Sequence, residues 1–177
     1  MSYGGRTIPR GFIALGRIEQ GSKRLSTYLD EYSVTVNADK KYILIPAANN
    51  GSNSRLSVFC GENNILGIAQ SAKPATDRVD YYIPVNVEKY KGQNLRVVLT
   101  GVKTTDLVYG AIRTSDSIEN EYNETDRPIV HFSPEFGWTN DPNGMVRTPS
   151  GEWHLSLQHN PYGTSHGNMH WGLSVSK

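Results

Sequence analysis

The sequence has one cysteine, no long apolar run and almost no net charge. Cys60 stands alone among the 177 residues, which excludes a disulfide within the chain. No apolar run approaches the roughly 20 residues that cross a bilayer, so we expect no membrane span. Eighteen basic against seventeen acidic side chains leave a formal charge of +1. Such a balance provides no field that attracts nucleic acid, and we expect no nucleic-acid partner.

Helical periodicity is also missing, and short runs of strand-forming residues take its place. The clearest runs, rich in Val, Ile, Leu and Tyr, are YSVTVN, KYILIPA, SRLSVFCG, DYYIPVNV and NLRVVLTGV. They predict an all-β chain that begins with an antiparallel β-sandwich. Pro84 has no N–H to donate to a ladder, so its strand is expected at an edge or a bulge. No helix longer than three turns is expected.

The composition changes near residue 127. All three tryptophans and all five histidines lie at or beyond His131, after the polar stretch SDSIENEYNETDRP (115–128). A shift of this kind is typical of a domain boundary. We therefore predict a β-sandwich domain over residues 1–126 and a second unit over residues 127–177.

The second unit shows the two-residue alternation of β-strands. GEWHLSLQHN and HWGLSVSK each alternate apolar with polar or small side chains. This pattern predicts a short antiparallel meander with one buried face. The residues expected to pack inward are Trp153, Leu155, Trp171 and Val175.

The segment GWTNDPNG (137–144) has two interpretations. One is a tight turn, because Asp and Asn side chains bond to their own backbone. The other is a binding site, in which Pro142 restricts the backbone of Asp141 and so sets the direction of its carboxylate. GEWHLSLQHNPYG and GNMHWG follow it. Together the three motifs resemble the first propeller blade of glycoside hydrolase family 32, which comprises invertases, levanases and inulinases.

The resemblance covers about residues 128 to 177 and implies part of one blade of a five-bladed β-propeller. The preceding region is similar to the β-domain found before the propeller in some Bacteroides-type fructan hydrolases. The implied activity is retaining hydrolysis of fructans or sucrose-type β-fructofuranosides. The implied location is periplasmic or extracellular, although MSYGGRTIPRG at the start lacks the features of a signal peptide.

The resemblance also assigns roles to individual residues. Asp141 matches the catalytic nucleophile, and Trp138, Asn140, Gln158 and Asn168 match substrate-binding positions. A departure is His166, which stands where the family has a tryptophan. No cofactor or metal is implied. His154, His159, His166 and His170 lie near one another in the sequence, but without the spacing of a metal motif they are interpreted as polar-face residues.

A second catalytic carboxyl group is missing from the motifs. A retaining glycosidase needs an acid/base about 5–5.5 Å from the nucleophile. Neither the family's acid/base motif nor its arginine-aspartate-proline motif is found here. We therefore expect an inactive N-terminal fragment of a glycosidase. The alternatives are that the sandwich is a fructan-binding module or a purely structural accessory domain. The sequence leaves the oligomeric state open.

Overall fold

The computed structural model describes residues 2–3, 6–7, 31–102, 106–118 and 122–177. The regular structure of these residues is almost entirely β, as predicted, and the rest is mostly turns and loops. The strands are β1 Ser2–Tyr3, β2 Arg6–Thr7, β3 Glu31–Asn37, β4 Tyr42–Ala47, β5 Ser54–Cys60, β6 Asn63–Asn64, β7 Gln70–Ala72, β8 Tyr81–Asn86, β9 Asn94–Thr100, β10 Arg113–Ser115, β11 Trp138–Arg147, β12 Trp153–Asn160 and β13 His170–Ser176. Within this described part, helix is limited to α1, Leu107–Ala111, and one 3-10 turn, Glu88–Tyr90.

Two antiparallel sheets form the predicted sandwich. One has the order β10-β4-β8, and the other has the order β3-β9-β5-β6 with β7 also paired to β5. Alternate side chains of the two sheets meet in one buried core. It includes Ile43, Ile45, Leu56, Val58, Ile83, Val85, Leu95, Val97 and Leu99. Burying each of these side chains contributes about 1.5–3 kcal/mol, which explains why the β-branched runs become strands.

The expectation for Pro84 is confirmed. Among the described residues its strand β8 pairs with β4 alone and lies at the edge of the three-stranded sheet, the position expected for a strand that contains proline. Tyr81 and Tyr82 precede it on opposite faces of the strand. Tyr81 packs against the core, whereas the ring of Tyr82 lies 4.7 Å from the guanidinium carbon of Arg113. Residues 8–30 of the predicted first domain lie outside the described residues.

A third sheet, separate from the sandwich, is the predicted meander, with strand order β11-β12-β13. Its register decides which face each side chain occupies. Leu155 pairs with Ser174 and Leu157 with Gly172, whereas Leu173 pairs with Ser156 and Trp171 with Gln158. Paired residues share a face, so the apolar residues of β12 and those of β13 lie on opposite faces.

The prediction of one apolar, buried face is therefore wrong. Trp171 is 71% exposed, Trp153 is 44% exposed and Val175 is 49% exposed, while Leu155 is half-buried. Only Leu157, at 5% exposure, is buried in this sheet among the apolar residues. Alternation was identified correctly in each strand, but the relative phase of two strands depends on their register, which alternation does not reveal.

The polar stretch before the meander is anchored by Arg127. Its guanidinium donates to the carboxylate of Glu124 at 2.7 Å and to the carbonyl oxygens of Ser133 and Pro134 at 3.0 and 2.9 Å. The ring of Tyr122 lies 4.5 Å from its guanidinium carbon. Several hydrogen bonds from one side chain thus organise the segment that leads into β11.

Candidate functional site

The GWTNDPNG motif forms neither a tight turn nor a regular strand. It begins β11, whose pairing with β12 is regular from Trp138 to Asn140 and then shifts register twice, between Asn140 and Asn143 and between Asn143 and Met145. Asp141 and Pro142 fall in the first shift, without partners in the ladder. An extra residue in one strand bends it and redirects side chains. The bulge therefore projects the predicted nucleophile out of the ladder.

Asp141 has a left-handed backbone conformation, with φ of 40°. Aspartate is among the few non-glycine residues that adopt it with modest strain. The side-chain amide of Asn143 donates to the carbonyl of Asp141 at 3.0 Å and supports this conformation. The residue is exposed. A carboxylate held on a supported bulge and open to solvent is available to a ligand.

Three of the predicted binding residues share one face of the sheet. Trp138 pairs with Asn160, Asn140 pairs with Gln158, and Gln158 also pairs with Trp171. Asn140, Gln158 and Trp171 thus form a row across all three strands. Neither Asn140 nor Gln158 makes a side-chain hydrogen bond to another described residue, so their amide groups are open to a ligand. The structure brings these residues together beside Asp141.

Trp138 is held from two sides. The ring of His166 meets it edge-on at 5.7 Å, and Nδ1 of His159 donates to its carbonyl oxygen at 3.2 Å. Phe136 contacts the ring of His159 edge-on at 5.6 Å. His166 therefore packs against the predicted apolar wall.

Burial lowers the pKa of His159 below its usual value, against the opposing effect of its hydrogen bond to Trp138, and the nearby His170 lowers it further. His159 is therefore neutral near pH 7, which suits its role as a donor to a backbone carbonyl. Among the described residues, no group of three or more His, Cys, Asp or Glu side chains converges as metal ligands would. Nor does this part of the chain contain a helix long and apolar enough to cross a membrane.

Asn168 lies apart from the other predicted residues. Its amide group contacts the sandwich: Nδ2 donates to the carbonyl of Ser71 at 2.7 Å, and Oδ1 accepts from the Ser71 N–H at 2.8 Å. Asn160, 3% exposed, accepts a further bond from Asn168 at 3.2 Å. Sequence reasoning missed Asn160, although it stands among the turn residues of QHNPYG.

Two cavities lie near these residues. One, of about 240 Å³, lies between the sandwich and the meander and is lined by Asp80, Tyr81, Phe136 and Thr164, among others. The other, of about 190 Å³, lies over Leu157 and Gly172. The five predicted site residues line neither cavity. Asn140 and Asp141 are exposed, so the candidate site at the β11 bulge lies on the surface of the sheet.

Comparison with known proteins agrees with the motifs. Residues 131–177 match the model of the glycosyl hydrolases family 32 N-terminal domain, and residues 30–130 match a domain of unknown function, DUF4980. A levanase of Bacillus subtilis is 44% identical over 82 residues, which are 46% of this chain and 12% of that protein. An invertase of Schizosaccharomyces pombe is 50% identical over 56 residues, which are 32% of this chain and 10% of that protein.

A solved structure of a glycoside hydrolase family 32 protein from Bifidobacterium adolescentis is 26% identical. It aligns with 82% of this chain and 25% of that one, with a TM-score of 0.32. The chain thus spans about a tenth of the length of the levanase and the invertase. The two matched models together cover residues 30–177 without a gap. Residues 131–177 of the chain thus belong to the N-terminal domain of glycoside hydrolase family 32, and a DUF4980 domain precedes them at residues 30–130.

Proposed function

We propose that the chain supplies the nucleophile and part of the sugar-binding surface of a retaining glycoside hydrolase that acts on fructans or sucrose-type β-fructofuranosides. The observation that carries this proposal is the placement of Asp141 on a bulge beside Trp138, Asn140 and Gln158. The relatives named levanase and invertase support the substrate class.

In this proposal Asp141 attacks the anomeric carbon of a fructosyl unit. A covalent fructosyl–enzyme bond forms as the bond to the leaving oxygen breaks, and a second carboxyl group protonates that oxygen. Water then releases fructose and restores the carboxylate. The open amides of Asn140 and Gln158 bind sugar hydroxyl groups, while Trp138 provides an apolar wall.

The acid/base is not assigned to a residue of this chain. Glu152 precedes β12, whereas Asp141 lies between the residues of β11 that pair with Ser156 and Gln158, so at least four residues of extended strand, roughly 13 Å, separate the two carboxyl groups along the sheet. This separation is too large for a retaining pair of carboxyl groups. Glu135 lines both of the cavities described above, and Asp141 lines neither of them. We therefore propose that the 177-residue chain alone does not cleave glycosidic bonds.

The meander is proposed to be part of a propeller blade. Its apolar side chains lie on both faces, with Trp153 and Met145 on one and Trp171, Leu173 and Val146 on the other, and all five are exposed. A sheet covered on only one side needs apolar residues on one face. Apolar residues on both faces suit a sheet stacked between two others, as blades are in a propeller. This supports a two-part organisation, with the sandwich over residues 1–126 and a blade from 127.

For the sandwich, the contacts of its tyrosines favour a structural accessory domain over a fructan-binding module. Tyr81 and Tyr90 pack against the core, and Tyr82 lies against Arg113. These rings are already engaged within the domain. For the enzyme as a whole we propose a periplasmic or extracellular location, because polymeric fructan does not cross a membrane intact.

A chimera tests the nucleophile. Residues 131–177 replace the matching segment of the Bacillus subtilis levanase, which supplies the rest of a catalytic domain. We expect the chimera to release fructose from levan, and Asp141→Asn to lower kcat by about a thousandfold or more. Glu152→Gln serves as the matched control, because it also replaces a carboxylate by an amide but lies before β12, away from the bulge, and it should leave kcat unchanged. An active Asp141→Asn chimera would refute the assignment of Asp141 as the nucleophile. Fructose release by the 177-residue chain alone would refute its proposed inactivity.

A further inference from the structure

The segment between β12 and β13, residues 161–169, here named the docking loop, makes three separate contacts with the sandwich. Tyr162 packs against the sandwich core, and burial raises its pKa. The hydroxyl of Thr164 donates to Oδ1 of Asn49 at 2.6 Å. Asn168 forms its pair of hydrogen bonds with the backbone of Ser71. One short loop thus joins the two parts of the chain.

The contact of Asn168 has the geometry of strand pairing. Ser71 is in β7, which pairs with β5 on one side only. The N–H and carbonyl of Ser71 point away from β5, and each would bond to a neighbouring strand if one were present. The side-chain amide of Asn168 supplies a donor and an acceptor in the same arrangement as a peptide group. It caps the free edge of the sandwich sheet.

This contact uses both amide hydrogens of Asn168. One goes to the carbonyl of Ser71 and the other to Oδ1 of Asn160. The carbonyl oxygen of Ser71 and Oδ1 of Asn160 can only accept hydrogen bonds, so the NH2 group of Asn168 must face them, and this fixes which side of its amide is nitrogen and which is oxygen. No donor is left for a sugar hydroxyl. The backbone of Asn168 is left-handed, with φ of 42°, which asparagine tolerates better than most residues.

We propose that Asn168 is a positioning residue that clamps the blade to the DUF4980 sandwich, and not a sugar-binding residue. Two routes connect the clamp to the candidate site. The docking loop carries His166, whose ring packs against Trp138. Asn160, bonded to Asn168, pairs with Trp138 in the ladder and bonds through Nδ2 to the Ser165 carbonyl at 2.7 Å. Holding the loop on Ser71 therefore holds the wall of the site. Only the statement that the clamp holds the wall of a sugar site rests on the proposed function.

The test is amide hydrogen exchange in the 177-residue chain, resolved by residue with NMR. Asn168→Ala removes both bonds to Ser71, and we expect the Ser71 amide to exchange about tenfold faster or more. The amides of Val97 and Leu99 in the sandwich core should exchange at the same rate as before. Asn143→Ala, which removes an amide bonded within its own strand, should leave Ser71 unchanged.

A second measurement follows Trp138. In a background of Trp153→Phe and Trp171→Phe, both exposed positions, Trp138 is the sole tryptophan. We expect Asn168→Ala to increase its quenching by acrylamide about twofold, as the docking loop releases His166. Unchanged exchange at Ser71 in Asn168→Ala would overturn the clamp, as would equally faster exchange in the core, which indicates only a loss of stability.

Fructose and sucrose titrations separate the two assignments. We expect no shift of the Asn168 side-chain amide signals on addition of either sugar. A shift at that amide while Ser71 stays protected would return Asn168 to the sugar site and refute the clamp. The exchange measurement needs no sugar and no turnover, so it stands even where the glycosidase proposal fails.

Discussion

Gly137 is the residue at which a single methyl group should do the most damage near the candidate site. It has φ of 75°, and a Cβ built on it would overlap the carbonyl oxygen of Asn160 and lie 3.0 Å from Cε1 of His159. A left-handed alanine costs about 1–2 kcal/mol. Overlap with packed neighbours adds about 1–3 kcal/mol. We therefore expect Gly137→Ala to lower the free energy of unfolding by about 2–5 kcal/mol.

The assay is urea unfolding followed by tryptophan fluorescence. All three tryptophans lie in β11, β12 and β13, so their emission reports on this sheet. Gly151→Ala is the matched control, because Gly151 has φ of 94° but its nearest neighbour, the end of the flexible Arg147 side chain, is 3.8 Å away. Gly151→Ala should lower the free energy of unfolding only by the cost of a left-handed alanine backbone, about 1–2 kcal/mol. Equal losses in the two variants would refute the reasoning, since the overlap would then contribute nothing.

Two further predictions concern the same sheet. The pKa of His159 is lower in the folded chain, so the unfolded chain binds a proton at this residue more readily. Neutral His159 therefore contributes stability above about pH 6.5, and this stability is lost as the pH falls through the folded pKa. The urea concentration at the midpoint of unfolding should therefore decrease when the pH is lowered from 7.5 to 5.5, and His159→Asn should make that decrease smaller. An equal decrease in the variant would contradict the assignment of the pH dependence to His159. Leu157→Ala should cost about 2–4 kcal/mol because Leu157 is buried, whereas Leu173→Ala, at a position 62% exposed, should change stability by about 0.5 kcal/mol or less. Similar losses in the two leucine variants would show that the exposed face is covered in solution.

Local pattern was enough to predict much of this protein. The β-branched runs predicted the strands of the sandwich, because such side chains fit a pleated surface and one face of each strand could be buried. Pro84 predicted an edge, since its missing N–H is a property of the residue itself. The three motifs near the end of the chain predicted the family, which the matched domain model confirms.

The sequence by itself determined the alternation within each strand, the family and the residue types around Asp141. Only the tertiary structure decided which faces those residues share. The two register shifts in β11 lift Asp141 out of the ladder, and the register of β12 with β13 places their apolar residues on opposite faces. Asn168 reaches Ser71 across 97 positions of sequence. The physical reason is that register and interdomain contact are set by pairing between distant segments, and a periodic pattern records only the neighbours along the chain.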